Sequence, residues 1–383
     1  MDRQSVSALS GLPGGSRCRG GIQRQIHDLP VCVARQQPVD PSGAQPPHLP
    51  QFLPTRLALD GLRPALVPMN LIDLHPAAAD MHQLVHEGMA RQPRQLPAWF
   101  LYDAEGSRLF DQICEQPEYT LTRTEIALLN ASAAEIATRL GAGVIVEFGA
   151  GSARKVGPLL AALQPTAYVA LDISASHLRE ALAALQPVHP RVPMLGICCD
   201  HSQLDALPPH PLLEGQKRLG FFPGSSLGNF NRQEAVQLLQ RFRHLLAGGP
   251  LLLGLDHPKP AQQLEAAYND AAGISAAFAR NLLQRLNQDL QADFNPERFR
   301  YRARWQADHS RVEMALISCC EQEVSIDGQR WKFAAGEPLV TEYSVKYSPA
   351  MAEALAKESG WRCAARWHDA ADSLSLHLLE AAD

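Results

Sequence analysis

The sequence predicts an α/β protein, with a doubly wound, mostly parallel sheet and an α+β lobe inserted late in the chain. Three observations predict it. Five short, largely apolar runs read as strands covered on both faces: VIVEF (144–148), AYVALDIS (167–174), MLGICCD (194–200), RLGFFPGSS (218–226) and PLLLGLD (250–256). Amphipathic stretches such as SASHLREALAAL and RQEAVQLLQRFRHLLAG separate them, as crossover helices would. After Asp256 the alternation stops, and a long helical region gives way to consecutive strand-like segments.

Taken in order, residues 1–68 are rich in Pro, Gly, Gln and Arg and hold neither helical nor strand period. They are expected to be a disordered tail, or a start assigned upstream of the true one near Met69. They lack the apolar core of a secretion signal, and their Arg content only loosely fits an import peptide. From about Asp73 to Gly88 the pattern is helical, and QLPAWF (95–100) leads into an aromatic cluster. Leu109, Phe110 and Ile113 share one helical face, which Pro117 terminates, and Thr124-Glu125 opens a helix running to about Leu140. With the five strands, residues 69–256 read as a helical cap plus a nucleotide-type sheet. Residues 257–347 form the inserted lobe: a helical region broken near Gly273, then strands in RYRARWQADHS, RVEMALISCCEQEVSI, RWKFAAG and LVTEYSVKYS. A helix at 349–359 and a strand at 373–379 return the chain (348–383) to the main sheet.

Composition narrows the function classes. Apolar residues make up 46% of the 383 and charged residues 20%, values of a globular protein with a sizeable core. The net charge of −5 offers no basic face for nucleic acid. No apolar run reaches the length of a membrane span, so a cytoplasmic protein without a membrane partner is expected. Of the eight cysteines none forms a CxxC, and the pairs Cys198-Cys199 and Cys319-Cys320 read as reduced thiols. The fourteen histidines are scattered, and no metal is expected. The sequence does not fix the oligomeric state, and a monomer is the working expectation.

The chemistry is expected at the strand ends, because ligands of open parallel sheets bind outside the carboxyl ends of the strands. VIVEFGAGSARK (144–155) is a strand, Glu147, a turn with Gly149 and Gly151, and a basic helix start with Lys155. The third glycine of a dinucleotide fingerprint would fall at Arg154, which argues against a pyrophosphate. A turn with free N–H groups suits an amino-acid carboxylate attached to an adenosine, hence S-adenosylmethionine. Asp172, about twenty residues on, is placed for ribose hydroxyls, and Asp200 for an adenine amino group. Either acid also reads as a helix cap or a loop acid, and Asn229 of PGSSLGNF as the cap of a helix starting at Arg232.

Longer strings carry more. WFLYDAEGSRLFDQICEQPEYTLTRTE (99–125), VIVEFGAGSARK, YVALDIS (168–174), FFPGSSLGNF (221–230), LLLGLDHPK (251–259), AAYNDAAGISAAFARNLLQRLNQDLQADF (266–294), RVEMAL (311–316) and FAAGEPLVTEYSVKYS (333–348) together resemble the histidine-specific methyltransferase family. The resemblance covers nearly everything from Trp99 to the C-terminus. It implies a sheet of class I S-adenosylmethionine-dependent methyltransferase type, with the donor touched by Gly149, Gly151, Lys155, Asp172 and Asp200. It implies that Tyr119, Asn229 and Tyr268 hold the amino and carboxylate groups of L-histidine, with Tyr102 beside the amine and Gly224 a backbone contact. Glu342 and Ser344 would hydrogen-bond the imidazole, with Met314 alongside, and Tyr102 and Asn229 would serve the reacting nitrogen.

The implied reaction is methylation of the α-amino nitrogen, up to three times, giving hercynine for ergothioneine synthesis. An in-line displacement at a sulfonium needs positioning of a neutral amine rather than a metal or a covalent intermediate. Neutral hydroxyl and amide groups around the amine, with the Glu342 carboxylate kept to the imidazole end, would avoid stabilising the ammonium. Two rival readings stand beside it. One is a sister methyltransferase with another amine acceptor, and the other a non-catalytic protein that binds the donor or an amino acid.

Overall fold

Strands buried on both faces and joined by crossover helices can close only as a twisted, layered sheet, and the computed structural model has that architecture. It describes residues 70–74 and 78–382. The stretch 1–68 and its alternative start lie outside the described residues. The first half runs β1 (Asn70–Asp73), α1 (Ala78–Ala90), β2 (Arg94–Gln95), α2 (Ala104–Glu115), α3 (Leu121–Leu140), β3 (Val144–Phe148), α4 (Gly157–Leu163), β4 (Ala167–Asp172), α5 (Ala175–Leu185), β5 (Met194–Cys198), β6 (Arg218–Phe222), α6 (Arg232–Leu245) and β7 (Leu251–Asp256). The second half adds α7 (Ala261–Ala267), α8 (Ile274–Asp289), β8 (Phe299–Gln306), β9 (Arg311–Ser318), β10 (Gln322–Ile326), β11 (Gln329–Phe333), β12 (Pro338–Val345), α9 (Pro349–Glu358), β13 (Trp361–His368) and β14 (Leu374–Ala381).

The main sheet has eight strands in the order β1-β5-β4-β3-β6-β7-β14-β13. Strands β1 to β7 of this sheet run parallel, whereas β14 pairs antiparallel with β7 and β13 with β14. Chain order reverses between β3 and β6, which opens a crevice at their carboxyl ends. Apolar cores lie on both faces: Ile145, Tyr168, Phe221 and Leu252 in one, and Val146, Phe148, Val169, Phe222 and Leu253 in the other.

Three expectations change. Residues 70–73, of which only Asp73 carries an expectation, as a helix start, form the edge strand β1, because Leu71 packs over the glycine gap at Gly196. The helix starts later, at Ala78. The segment 361–368, for which no strand was expected, forms β13 on the open edge of the sheet.

In the segment 257–347 the helical region is broken between α7 and α8 at Gly273, whose φ is +75°. The sheet of this lobe has the order β2-β12-β9-β8, beside the hairpin β10-β11. The lobe therefore is not closed on residues 257–347: it takes a strand from the N-terminal cap. The cap also docks on α8, where Asn281 donates to Asp103 at 2.7 Å and Arg285 to the Phe100 carbonyl at 2.8 Å.

Candidate active site

The glycine turn after β3 is shaped by backbone conformations that other residues rarely adopt. Gly149 and Gly151 have φ of +69° and +53°, and a Cβ at Gly149 would lie in van der Waals contact with the His201 ring, at 3.6 Å. Asp172, at the end of β4, is nearly buried and holds that turn: one oxygen accepts from the Gly151 N–H at 2.8 Å and the other from the Ser174 N–H at 3.0 Å. Asp200, following β5, accepts from the Ser202 N–H at 2.9 Å and hydroxyl at 2.6 Å. These four residues line one cavity of about 560 Å³ with Ile173, Cys199, His201 and the Trp99–Tyr102 region. That volume suits a ligand of nucleoside size.

Lys155 does not line it. Its ammonium pairs at 3.0 Å with Glu125 of α3, a carboxylate with no exposure. Both Glu125 oxygens also accept from the Gly224 N–H, at 2.9 and 2.8 Å. Lys155 thus reaches beneath the turn after β6 rather than toward that cavity. Glu147, also noted at the first strand end, is wholly buried and accepts from the Tyr168 hydroxyl at 2.5 Å; burial pushes its pKa up to about 8.

A second, narrower cavity lies deeper, between the sheet and the lobe. Tyr102, Tyr119, Gly224, Asn229, Tyr268, Met314, Glu342 and Ser344 all line it, with Phe278 and Tyr301. Every residue expected at the acceptor is therefore brought to one place, from α-helical cap, main sheet and lobe. The two cavities share Tyr102, Phe110, Ser226 and Asn229, which form a waist between them.

Local folding explains how each arrives. The turn after β6 runs through Gly224 and Ser225, with φ of +80° and +55°, into a single turn at Ser226–Asn229. Asn229 is not the helix cap. That is Asn231, whose side chain accepts from the Glu234 N–H in a reciprocal capping box, and Asn229 is left to face the cavity. Strand β12 presents Glu342 and Ser344 at period two from its inner face, after an irregularity between Val340 and Glu342.

Glu342 is only 8% exposed. Its carboxyl accepts from the Asn229 amide at 2.8 Å and from the Tyr102 hydroxyl at 3.4 Å. The carboxyl expected at the imidazole end thus contacts Asn229 and Tyr102, the two residues expected beside the amine. The cause is the close approach of β12 to the Ser226–Asn229 turn, where a Cβ on Gly228 would lie 2.7 Å from the Val345 oxygen. Burial pushes the Glu342 pKa up to about 8, so near neutrality the group can hold or release a proton. Burial also lifts Tyr102, Tyr119 and Tyr301 well above the ordinary phenol value, so they stay neutral hydroxyls and none is a phenolate base.

The sequence pattern did not single out Lys346, wholly buried two residues past Ser344. It donates to the Tyr268 hydroxyl at 2.6 Å and Ser344 at 2.8 Å, and pairs with Asp256 at 2.8 Å. Its signal was the same alternation that marks Glu342 and Ser344. Nor did the pattern single out His82 and His86, one helical turn apart on α1; both face Asp327, at 3.0 and 4.0 Å. No group of three or more His, Cys, Asp or Glu converges as a metal site among the described residues.

A doubly wound sheet with a glycine turn, two strand-end acids around a nucleoside-sized cavity and a second cavity joined to it fit an enzyme that brings a nucleoside-bearing ligand to a second small molecule. The family model for histidine-specific, S-adenosylmethionine-dependent methyltransferases matches residues 81–381, and the chain belongs to that family. It is 36% identical over 316 residues to the histidine N-alpha-methyltransferase of Mycolicibacterium smegmatis, covering 81% of this chain and 97% of that one. The corresponding protein of Mycobacterium tuberculosis is 35% identical over 302 residues, 77% and 92% of the two chains. The ergothioneine biosynthesis protein 1 of Neurospora crassa is 31% identical over 297 residues, which are 75% of this chain but 33% of that protein.

Proposed function

We propose that the protein transfers methyl groups from S-adenosylmethionine to the α-amino nitrogen of L-histidine, up to three times, giving hercynine for ergothioneine synthesis. The observation that carries this is the waist at Tyr102, Phe110, Ser226 and Asn229 between two cavities, the inner of which holds Glu342 and Ser344. The outer cavity fits the donor: its glycine backbone is open and its acids sit at the ends of β4 and β5. When bound there, the donor supplies an electrophilic methyl group on a sulfonium.

The chain's own residues then position the acceptor. Asn229 and Tyr102 present an amide and a neutral hydroxyl at the waist, where the acceptor nitrogen must lie to be in line. Phe110 and Phe278 border the inner cavity and limit water there. Glu342 and Ser344 supply polar partners for an imidazole, and Tyr119 and Tyr268 for the amino-acid end. The site is taken to work without a metal and without nucleic-acid or membrane partners, in a cytoplasmic monomer. Among the described residues no helix is long and apolar enough to cross a membrane.

The test is mass spectrometry of the purified protein with S-adenosylmethionine and a pool of amino acids and biogenic amines. Histidine alone gaining mass in methyl steps, with that preference lost in Glu342→Ala, is the expected result. Methylation of another amine with histidine ignored overturns the acceptor, and donor binding without any methylation overturns catalysis.

A further inference from the structure

An amino acid brings a carboxylate into its site, and buried carboxylates need a positive partner. No Lys or Arg lines the inner cavity. Tyr268, expected at the amino-acid end, is nevertheless backed by a cation: the Lys346 ammonium lies 2.6 Å from its hydroxyl and 4.7 Å from its ring centroid. Burial alone pulls this ammonium down, but the Asp256 carboxylate outweighs it and holds the group charged, above the ordinary lysine value. Asp256 is in turn shared with Lys259, which also lies within electrostatic reach of Asp369. The pKa of the Glu342 carboxyl near Lys346 is pushed by burial up to about 8, so near neutrality it leaves Lys346 only partly neutralised. Lys155 is the other cation near the cavity, but Glu125 claims it one for one.

The hydrogen-bond inventory gives that charge a direction. An ammonium only donates, and the three protons of Lys346 go to Asp256, Tyr268 and Ser344. Both hydroxyls therefore accept from it. They also touch each other at 2.8 Å, which uses one of their two protons. A carboxylate accepts only, so a carboxylate held by Tyr268 needs the Tyr268 proton, and Ser344 must donate to Tyr268. Ser344 then keeps a lone pair for an N–H of the acceptor's side chain.

We propose that Lys346 is the cation that neutralises the acceptor's carboxylate, acting through the Tyr268 hydroxyl, which makes it a positioning residue for amino acids over their decarboxylated amines. The inference rests on the inner cavity being the amino-acid site. It is tested by titration calorimetry of histidine and of histamine, which lacks only the carboxyl group, against the protein saturated with S-adenosylhomocysteine. Lys346→Met should weaken histidine by about tenfold or more and leave histamine within about twofold, so that the preference collapses. Tyr268→Phe should give the same collapse, and the double variant no further loss. Lys346→Gln, which keeps donors without charge, should behave as Lys346→Met and serves if the apolar variant does not fold.

Equal weakening of both ligands, or of neither, overturns the role of Lys346. So does a collapse produced by Lys155→Met instead. If the native protein binds neither ligand, the histidine reading fails. Lys346 is then tested on the acid and amine pair of whichever amino acid the protein methylates. Selective weakening of the acid supports its role there, and equal weakening of both overturns it.

Discussion

Replacing Glu342 by Gln separates what this carboxyl does for the substrate from what it costs the fold. Burial drives its pKa up to about 8, against the opposing pull of the Tyr102 hydroxyl and Lys346. In the unfolded chain the same group ionises near the ordinary value of about 4.3. Across the window between those values the unfolded chain has released a proton that the folded protein still holds. Stability therefore falls as pH rises through the window and levels off above it. At about 1.4 kcal/mol per pH unit the full window corresponds to roughly 4–5 kcal/mol. Glutamine keeps an oxygen for the Asn229 amide but cannot ionise. The advantage of Glu342→Gln over the native protein should grow by roughly 2–4 kcal/mol between about pH 5 and about pH 8.5, measured by urea unfolding at several pH values. The same variant should lose most of its affinity for histidine. A stability difference that stays flat with pH, or shrinks as pH rises, would refute the assignment of a buried, proton-holding carboxyl.

Gly224→Ala places a side chain at φ +80° with its Cβ 2.6 Å from the Lys155 ammonium; a loss of about 1–3 kcal/mol in denaturant unfolding is expected. Glu125→Gln leaves Lys155 without its carboxylate and should cost roughly 2–4 kcal/mol, partly recovered by adding Lys155→Met. Strict additivity of those two changes would mean the pair is not coupled. Asp172→Asn can no longer accept from both Gly151 and Ser174 with a charge. Calorimetry with S-adenosylhomocysteine should then show binding weakened about 10- to 100-fold, and unchanged binding would remove Asp172 from the donor site.

The strands β3 to β7 were legible because burial on both faces leaves few polar positions to confuse the pattern. Strand β13 was not: WRCAARWH sits on an open edge, and Arg362 and Arg366 give it no apolar string. Strand β1 is four residues long and depends on β5 for its pairing, which no local pattern records. At the site, residue type alone favoured bland readings, and it was the resemblance of the long strings that pointed to residues now seen to line the inner cavity, without its electrostatics. The Glu125–Lys155 pair joins a helix to a turn, and Lys346–Asp256 joins the ends of two sheets. Such pairs are long-range, so a lysine at a strand end reads as solvated until its partner is known. The Glu342–Asn229 contact is equally invisible in sequence, since it follows from how closely β12 approaches a turn more than a hundred residues away.

The two-residue strand β2 bears on how such enzymes can be re-engineered. Arg94 and Gln95 pair with Leu339 and Val340, and the Arg94 side chain reaches Glu337 and the Lys332 carbonyl, both at 2.8 Å. The acceptor lobe is therefore not a portable cassette. A chimera that exchanged residues 257–347 alone would seat the incoming β12 against the recipient's own β2, and close its pocket with the recipient's own Tyr102 segment, so neither contact would be matched. Exchanging acceptor preference between relatives calls for a split graft, in which the segment from β2 through α2 travels with the lobe although residues 116–256, with the parallel strands β3 to β7, stay behind.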